Sequence, residues 1–237
     1  MAVHAGPDIV TDGLVLHLDA ANGRSYPGSG STWFDLSGRG NDVTLYNSPT
    51  FSNGTINFPG TNQYGRTTST LDLSSTAAIT IISAWRTATT STNCMVYEYS
   101  ANWNGSINGF GLYSNSDGGP TVENTQHIQL RGNTDYAGTN ASSPPSSSFG
   151  IYSVRHNFSS SAPETTVYIN SSSPTVNNYG GNNTNTSFGN EYLYIGSRGG
   201  TSVFGNTTIA FLMIYTRSIS DFEILQNFNS LRGRFGL

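Results

Sequence analysis

The sequence predicts an all-β fold, a two-sheet antiparallel β-sandwich with one short C-terminal helix. Three observations lead there. Short runs of β-branched and aromatic residues are separated by polar turns at intervals of about ten residues, the rhythm of a sandwich or barrel. About eleven such runs occur, more than one small sheet accommodates, so two sheets must face each other. A single helix signal stands near the end, where Ser220 is followed three residues later by Glu223 within an apolar stripe.

Taken in order, "GLVLHLDA" (13–20) puts Leu14, Leu16 and Leu18 on one face and Val15, His17 and Asp19 on the other, the two-residue period of a strand. Strand patterns continue at "DVTLYN" (42–47), "TINFPG" (55–60), "AITIISAWR" (78–86), "CMVYEYS" (94–100) and "GFGLYS" (109–114). They resume at "HIQLRG" (127–132), "GIYSVRHNF" (150–158), "TTVYINS" (165–171), "EYLYIGS" (191–197) and "TTIAFLMIYTR" (207–217). "NASSPPSSS" (140–148) and "NNYGGNNTNTSFGN" (177–190) read as exposed loops, because strand patterns flank both. In "SISDFEILQNFNSLRGRF" the stripe Ile224, Leu225, Phe228 and Leu231 is expected to pack against an open edge or end of the sandwich.

No charge run or compositional shift divides the 237 residues, so residues 12–237 read as one domain behind an N-terminal arm, residues 1–11. Only 10% of residues are charged, so Ser, Thr, Asn, Gly and Tyr must carry the surface polarity, a balance that disfavours a cytosolic metabolic enzyme. The net charge is -4 and the ten basic residues, all Arg, are scattered. Without a contiguous basic face, neither nucleic acid nor an anionic membrane surface is an expected partner. No apolar run approaches the roughly 20 residues that membrane insertion by a helix requires. Cys94 stands alone, so no intrachain disulfide forms and stability must come from packing or assembly. The opening "MAVHAGPDIV" lacks the basic and apolar regions of a secretory signal.

Three segments, "GLVLHLDAAN", "WFDLSGRGNDVTLYN" and "GNTTIAFLMIYTRSISDFEILQNFN", resemble in that order the concanavalin A-like, laminin-G-like jelly-roll modules of bacteriophage and other viral structural proteins. "FSNGTINFPGTNQYG" is similar to that family's hairpin and "AITIISAWR" to its central Trp-bearing strand. The resemblance spans about residues 12–235 and implies a sandwich with a glycan-binding or architectural task. It implies a non-enzymatic virion protein, assembled in the host cytoplasm and exposed on the particle. There it would decorate a capsid or form a fibre or tail appendage. The implied partners are other virion proteins, further copies of the chain and host-surface glycans; the alternatives are a glycan-binding adhesin and a polysaccharide-degrading enzyme.

Individual residues sharpen these expectations. Asp35 sits in a Gly-rich turn, where its carboxylate can accept backbone N–H groups and make a structural corner; alternatively Asp19, Asp35 and Asn41 supply hard oxygen ligands for Ca²⁺. A glycosidase needs two paired carboxyl groups, and no Glu-x-Asp-x-Glu run exists; Glu98 is isolated in its strand, and the Asp221/Glu223 pair belongs to the helix start. No Gly-x-Ser-x-Gly elbow appears, so no catalytic residue is assigned. Sugars are held by aromatic faces and a few polar groups, which marks Trp103 with Tyr97, Tyr113 and Arg131 as a glycan site. For assembly, Ile9 and Val10 of the arm can add to a sheet edge, and Phe222, Leu225 and Phe228 can face a neighbouring subunit.

Overall fold

The computed structural model describes residues 7–87, 94–100, 108–114, 125–131, 136–142, 148–158, 164–172 and 186–237. In chain order the strands are β1 (Leu14–Asp19), β2 (Thr32–Trp33), β3 (Val43–Tyr46), β4 (Thr50–Ser52), β5 (Thr55–Pro59), β6 (Tyr64–Thr67) and β7 (Leu71–Asp72). Next come β8 (Ala78–Thr87), β9 (Cys94–Tyr99), β10 (Gly109–Ser114), β11 (Thr125–Arg131), β12 (Tyr136–Ser142) and β13 (Gly150–Asn157). The chain ends with β14 (Glu164–Ile169), β15 (Asn190–Glu191), β16 (Leu193–Ile195), β17 (Asn206–Tyr215) and helix α1 (Asp221–Leu231).

A seven-stranded sheet runs β14-β13-β8-β17-β5-β4, with β1 also on β17, and an eight-stranded sheet runs β12-β11-β10-β9-β16-β6-β3-β2. The expected all-β, two-sheet antiparallel sandwich is what forms. Each strand's alternation sends one set of side chains inward. Leu16 and Leu18 of β1, Ile81 and Trp85 of β8 and Leu212 and Ile214 of β17 join Val43, Tyr97, Phe110 and Leu193 of the other sheet in one core. Trp85 stacks on Tyr152 at 4.6 Å, and Trp33 is fully buried in the same core.

The other face of the seven-stranded sheet is apolar too. Ile82, Ala84, Phe211, Met213 and Tyr215 form a second core with Ile224, Phe228 and Leu231 of α1. The helix therefore lies over a sheet face, a correction to the edge or end expected from sequence. It starts as the capping box requires: the Ser220 backbone N–H donates to Glu223 Oε2 at 2.8 Å, and the Ser220 hydroxyl accepts from the Glu223 N–H at 3.3 Å. Leu225 falls off the buried stripe and is 44% exposed, while Asn227 takes a place within it.

Asn227 anchors the arm. Its Oδ1 accepts from the Val10 N–H at 2.8 Å, the Tyr215 hydroxyl donates to the Val10 carbonyl at 2.9 Å, and Gln226 Nε2 donates to the Asp8 carbonyl. Val10 is buried and Ile9 packs beside it, so these two residues cover their own chain's helix rather than adding to a sheet edge. Phe228 is likewise buried internally, which leaves only Phe222, at 75% exposure, and Leu225 of the assembly set as large exposed side chains.

The sequence reading missed the short strands β2, β4 and β7, too brief to show a period, β6, where Gly65 breaks the apolar alternation, and β12, whose last three residues fall inside the predicted 140–148 loop. "EYLYIGS" divides at Tyr192 into β15, which pairs with β7, and β16, which joins the eight-stranded sheet.

Candidate functional site

While α1 covers one outer face, the outer face of the eight-stranded sheet carries no helix among the described residues. Its side chains follow from strand parity. Val43 and Leu45 of β3 point into the core, so Thr44 and Tyr46 point out; Leu193 and Ile195 of β16 do the same and turn Tyr194 out. On β6, Tyr64 and Arg66 are the outward pair. Gly65 between them lies against Val43, where an added Cβ would stand 2.9 Å from Val43 Cγ1.

Register then sets these residues in rows. Tyr46 faces Tyr64, and Thr44, Arg66, Tyr194 and Glu98 follow one another across β3, β6, β16 and β9. The Tyr46 and Tyr64 rings stack at 4.6 Å, and Tyr194 and Phe204 each lie 6.4 Å from Tyr64. The Arg66 guanidinium lies 4.6 Å from the Tyr192 ring and 5.5 Å from the Tyr46 ring, and its Nη2 donates to the Tyr46 hydroxyl at 3.1 Å. Arg66 Nε, although buried, has no hydrogen-bond partner among the described residues. All six of these side chains, Tyr46, Tyr64, Arg66, Tyr192, Tyr194 and Phe204, are half-buried. They form a ring-lined basic surface, fixed in place by stacking yet still open to solvent.

The segment Gly196–Gly205 borders this surface. Gly200 adopts φ +71°, and a Cβ there would stand 2.9 Å from the Tyr64 ring, so glycine permits the close approach. Beneath the segment, Glu98 is buried on the outer side of β9. Its Oε2 lies 3.4 Å from Arg198 Nε, and the Ser100 hydroxyl donates to its Oε1 at 3.1 Å. Burial pushes the Glu98 carboxyl up to about 7, against the opposing pull of Ser100 and Arg198.

The strands bearing the predicted glycan residues do lie side by side, in the order β11-β10-β9. Their side chains do not converge on the surface. Tyr97 faces the inter-sheet core and is 1% exposed, a correction that follows from strand parity: with Glu98 outward, Tyr97 and Tyr99 point in. Tyr113 faces the outer side but is buried with Met95 beneath Val203. Arg131 ends β11 opposite Gly109, its side chain lying outside the described residues, as does the whole of Trp103.

The Asp35 corner is engaged in full. Oδ1 accepts from the His17 and Ser37 N–H groups, each at 2.8 Å, and Oδ2 accepts from the Ser37 hydroxyl at 2.7 Å and the Asn41 N–H at 3.0 Å. Asn41 Nδ2 donates to the Val15 carbonyl and the Leu36 N–H to the His17 carbonyl, so this loop satisfies the free edge of β1. Asp19 serves other partners, the Ala21 N–H and Arg234 Nη1 at 2.9 Å. Asp19 and Asp35 thus serve separate sets of protein donors, and among the described residues no group of three His, Cys, Asp or Glu side chains is arranged to hold a metal.

No protein-family model and no curated protein matches the sequence. Solved structures match the fold. The receptor-binding domain of botulinum neurotoxin C/D mosaic serotype aligns with a TM-score of 0.70 at 9% identity, over 94% of this chain and 52% of that one. The fold is a concanavalin A-like jelly-roll sandwich. The botulinum neurotoxin serotype D ligand-binding domain, solved in complex with N-acetylneuraminic acid, aligns at 0.69 and 9% identity over 94% and 52%. Trypanosoma rangeli sialidase aligns at 0.64 and 15% identity over 94% and 33%. The chain therefore spans about half of the toxin domains and a third of the sialidase.

Proposed function

We propose that this chain is a non-enzymatic glycan-binding module whose site is the outer face of the eight-stranded sheet. The observation that carries the reading is Arg66, held between Tyr46 and Tyr192 on a part of the sheet face that stays open to solvent among the described residues. Aromatic rings offer flat apolar surface to the C–H faces of sugars, while Arg66 supplies donors for hydroxyl or carboxylate oxygens. A basic centre makes acidic sugars the favoured class. The fold-related toxin domain solved with N-acetylneuraminic acid supports that choice by analogy of fold.

A purely binding role also fits the acid–base inventory of the face. Glu98 is buried and ion-paired to Arg198, whereas glycoside cleavage needs two carboxyl groups flanking the bond. The test is a glycan array with the wild-type chain and with Tyr46→Ala and Arg66→Ala, run beside an assay for released reducing ends. The expected result is saturable binding to sialylated glycans, weakened at least about tenfold in both variants, with no reducing ends released. An array blank from folded protein refutes the reading, and reducing-end release refutes its non-enzymatic part.

A second reading, assembly into a virion as a capsid-decoration, fibre or tail module, is favoured by Phe222 and Leu225, 75% and 44% exposed on α1. Light scattering tests it. A stable oligomer that Phe222→Ser dissolves supports assembly, and a monomer at all concentrations opposes self-assembly.

A further inference from the structure

The loop preceding β2 and the turn from β3 to β4 enclose an open cleft of about 550 Å³. Tyr26 and Phe51 form its aromatic side, with ring centroids 5.1 Å apart and tilted by 52°. Ser29, Ser31, Asn47 and Ser48 supply hydroxyl and amide groups, and no Asp, Glu, Lys, Arg or His lines it. None of the outer-face cluster takes part.

The cleft is built in advance of any ligand. The Tyr26 hydroxyl donates to the Gly30 carbonyl at 2.9 Å, and the Leu45 N–H donates to the Ser31 carbonyl at 2.7 Å, tying the loop to β3. Asn47 and Ser48 both adopt φ 58°, a left-handed pair that costs Ser48 on the order of 1 kcal/mol. Gly28 at φ +94° leaves the side of Phe51 uncovered by any side chain of its own.

We propose that this cleft is a second binding site, specific for a neutral sugar ring. Its volume lies within the roughly 300–1,000 Å³ of small-ligand sites. Its lining has no charge to pair with an ionic group, and burying an unpaired charge there would be costly. Two rings and a set of short polar groups match a ligand with apolar C–H faces and hydroxyl edges. This site stands independently of the outer-face reading, which favours acidic sugars.

The experiment is an amide chemical-shift titration of the full chain with methyl α-glucoside, methyl α-mannoside, methyl β-galactoside and N-acetylglucosamine, with N-acetylneuraminic acid as the charged comparison. At least one neutral sugar is expected to shift Gly28, Gly30, Asn47 and Ser48. Ser29→Trp, which fills the cleft from an exposed position, is expected to weaken that response at least about tenfold, and Phe51→Ala to weaken it too, while Tyr194→Ala leaves it intact. The proposal is overturned if no neutral sugar moves these amides, if the shifts survive both cleft variants, or if N-acetylneuraminic acid moves them equally. Failure of the outer-face site looks different: the shifts near Arg66 are then absent while the cleft still responds.

Discussion

Asp35 shows how one carboxylate holds a corner. Four donors converge on it, and two of them, the His17 and Asn41 N–H groups, lie on separate segments. Asp35→Ala strands those donors and is expected to destabilise the chain by about 2–4 kcal/mol in urea titration, whereas Asp35→Asn, with one acceptor oxygen left, loses less. The corner was legible because Asp followed by Ser and glycines is turn chemistry whatever the fold. Tyr97 was not: its residue type suits a sugar site and a core equally, and only the outward Glu98 beside it fixes the parity. Tyr46 and Tyr194 were within reach of the same argument, since Tyr46 continues the alternation set by Val43 and Leu45, and Leu193 and Ile195 flank Tyr194. Tyr64 was hidden, because Gly65 removes the apolar alternation that marks a strand.

At the scale of the element, α1 and the arm act as one unit. The capping box makes Ser220→Ala worth about 1 kcal/mol, measured as a fall in midpoint denaturant concentration. Phe228→Ala is expected to cost about 3–5 kcal/mol, and Leu225→Ala to change stability little, a contrast that places the buried stripe. Asn227→Ala should free the arm, seen as faster hydrogen exchange at the Val10 amide, whose acceptor among the described residues it removes. The helix start was plain in sequence because its cap is local. Its landing place was not, since the apolar outer face that receives it is assembled from β8, β13 and β17, far apart in the chain. Leu225 was misassigned because a stripe of Ile224, Phe228 and Leu231 leaves its neighbour about 100° around the helix.

At the scale of the whole molecule, the buried groups Glu98 and His156 oppose each other in acid. Burial holds Glu98 protonated up to about 7, so the folded state binds a proton that the unfolded chain has released, and stability rises as pH falls from that value towards the ordinary carboxylate range. Burial drives His156 in the other direction, from the ordinary 6.5 to about 3, so the unfolded chain gains the proton first and stability falls as pH drops below 6.5. His17, whose pKa burial also lowers, adds to the His156 side, so wild-type Tm is expected to fall on acidification from about pH 6.5 to 4.5 by less than that of a chain lacking Glu98. Glu98→Gln should leave an acid-labile protein, and His156→Phe one that gains Tm on acidification; parallel Tm–pH profiles for all three chains would refute this account. The two-sheet architecture itself was readable from strand rhythm, but which outer face stays open was decided only by where the last eleven-residue helix came to rest.

That resting place also fixes an orientation. Ile9 and Val10 near one end of the chain, and Phe235 and Leu237 at the other, pack on the helix-covered side. The described segments around Val10 and Leu237 thus lie behind the sandwich, with Arg66 and its rings in front. Anchored to a bead or fused to a larger body through Leu237, the chain presents its aromatic surface outward, as a sensor head on a short stem would. Capture through a tag placed after Leu237 is accordingly expected to preserve full ligand capacity, and attachment through a cysteine placed at Tyr194 to abolish it.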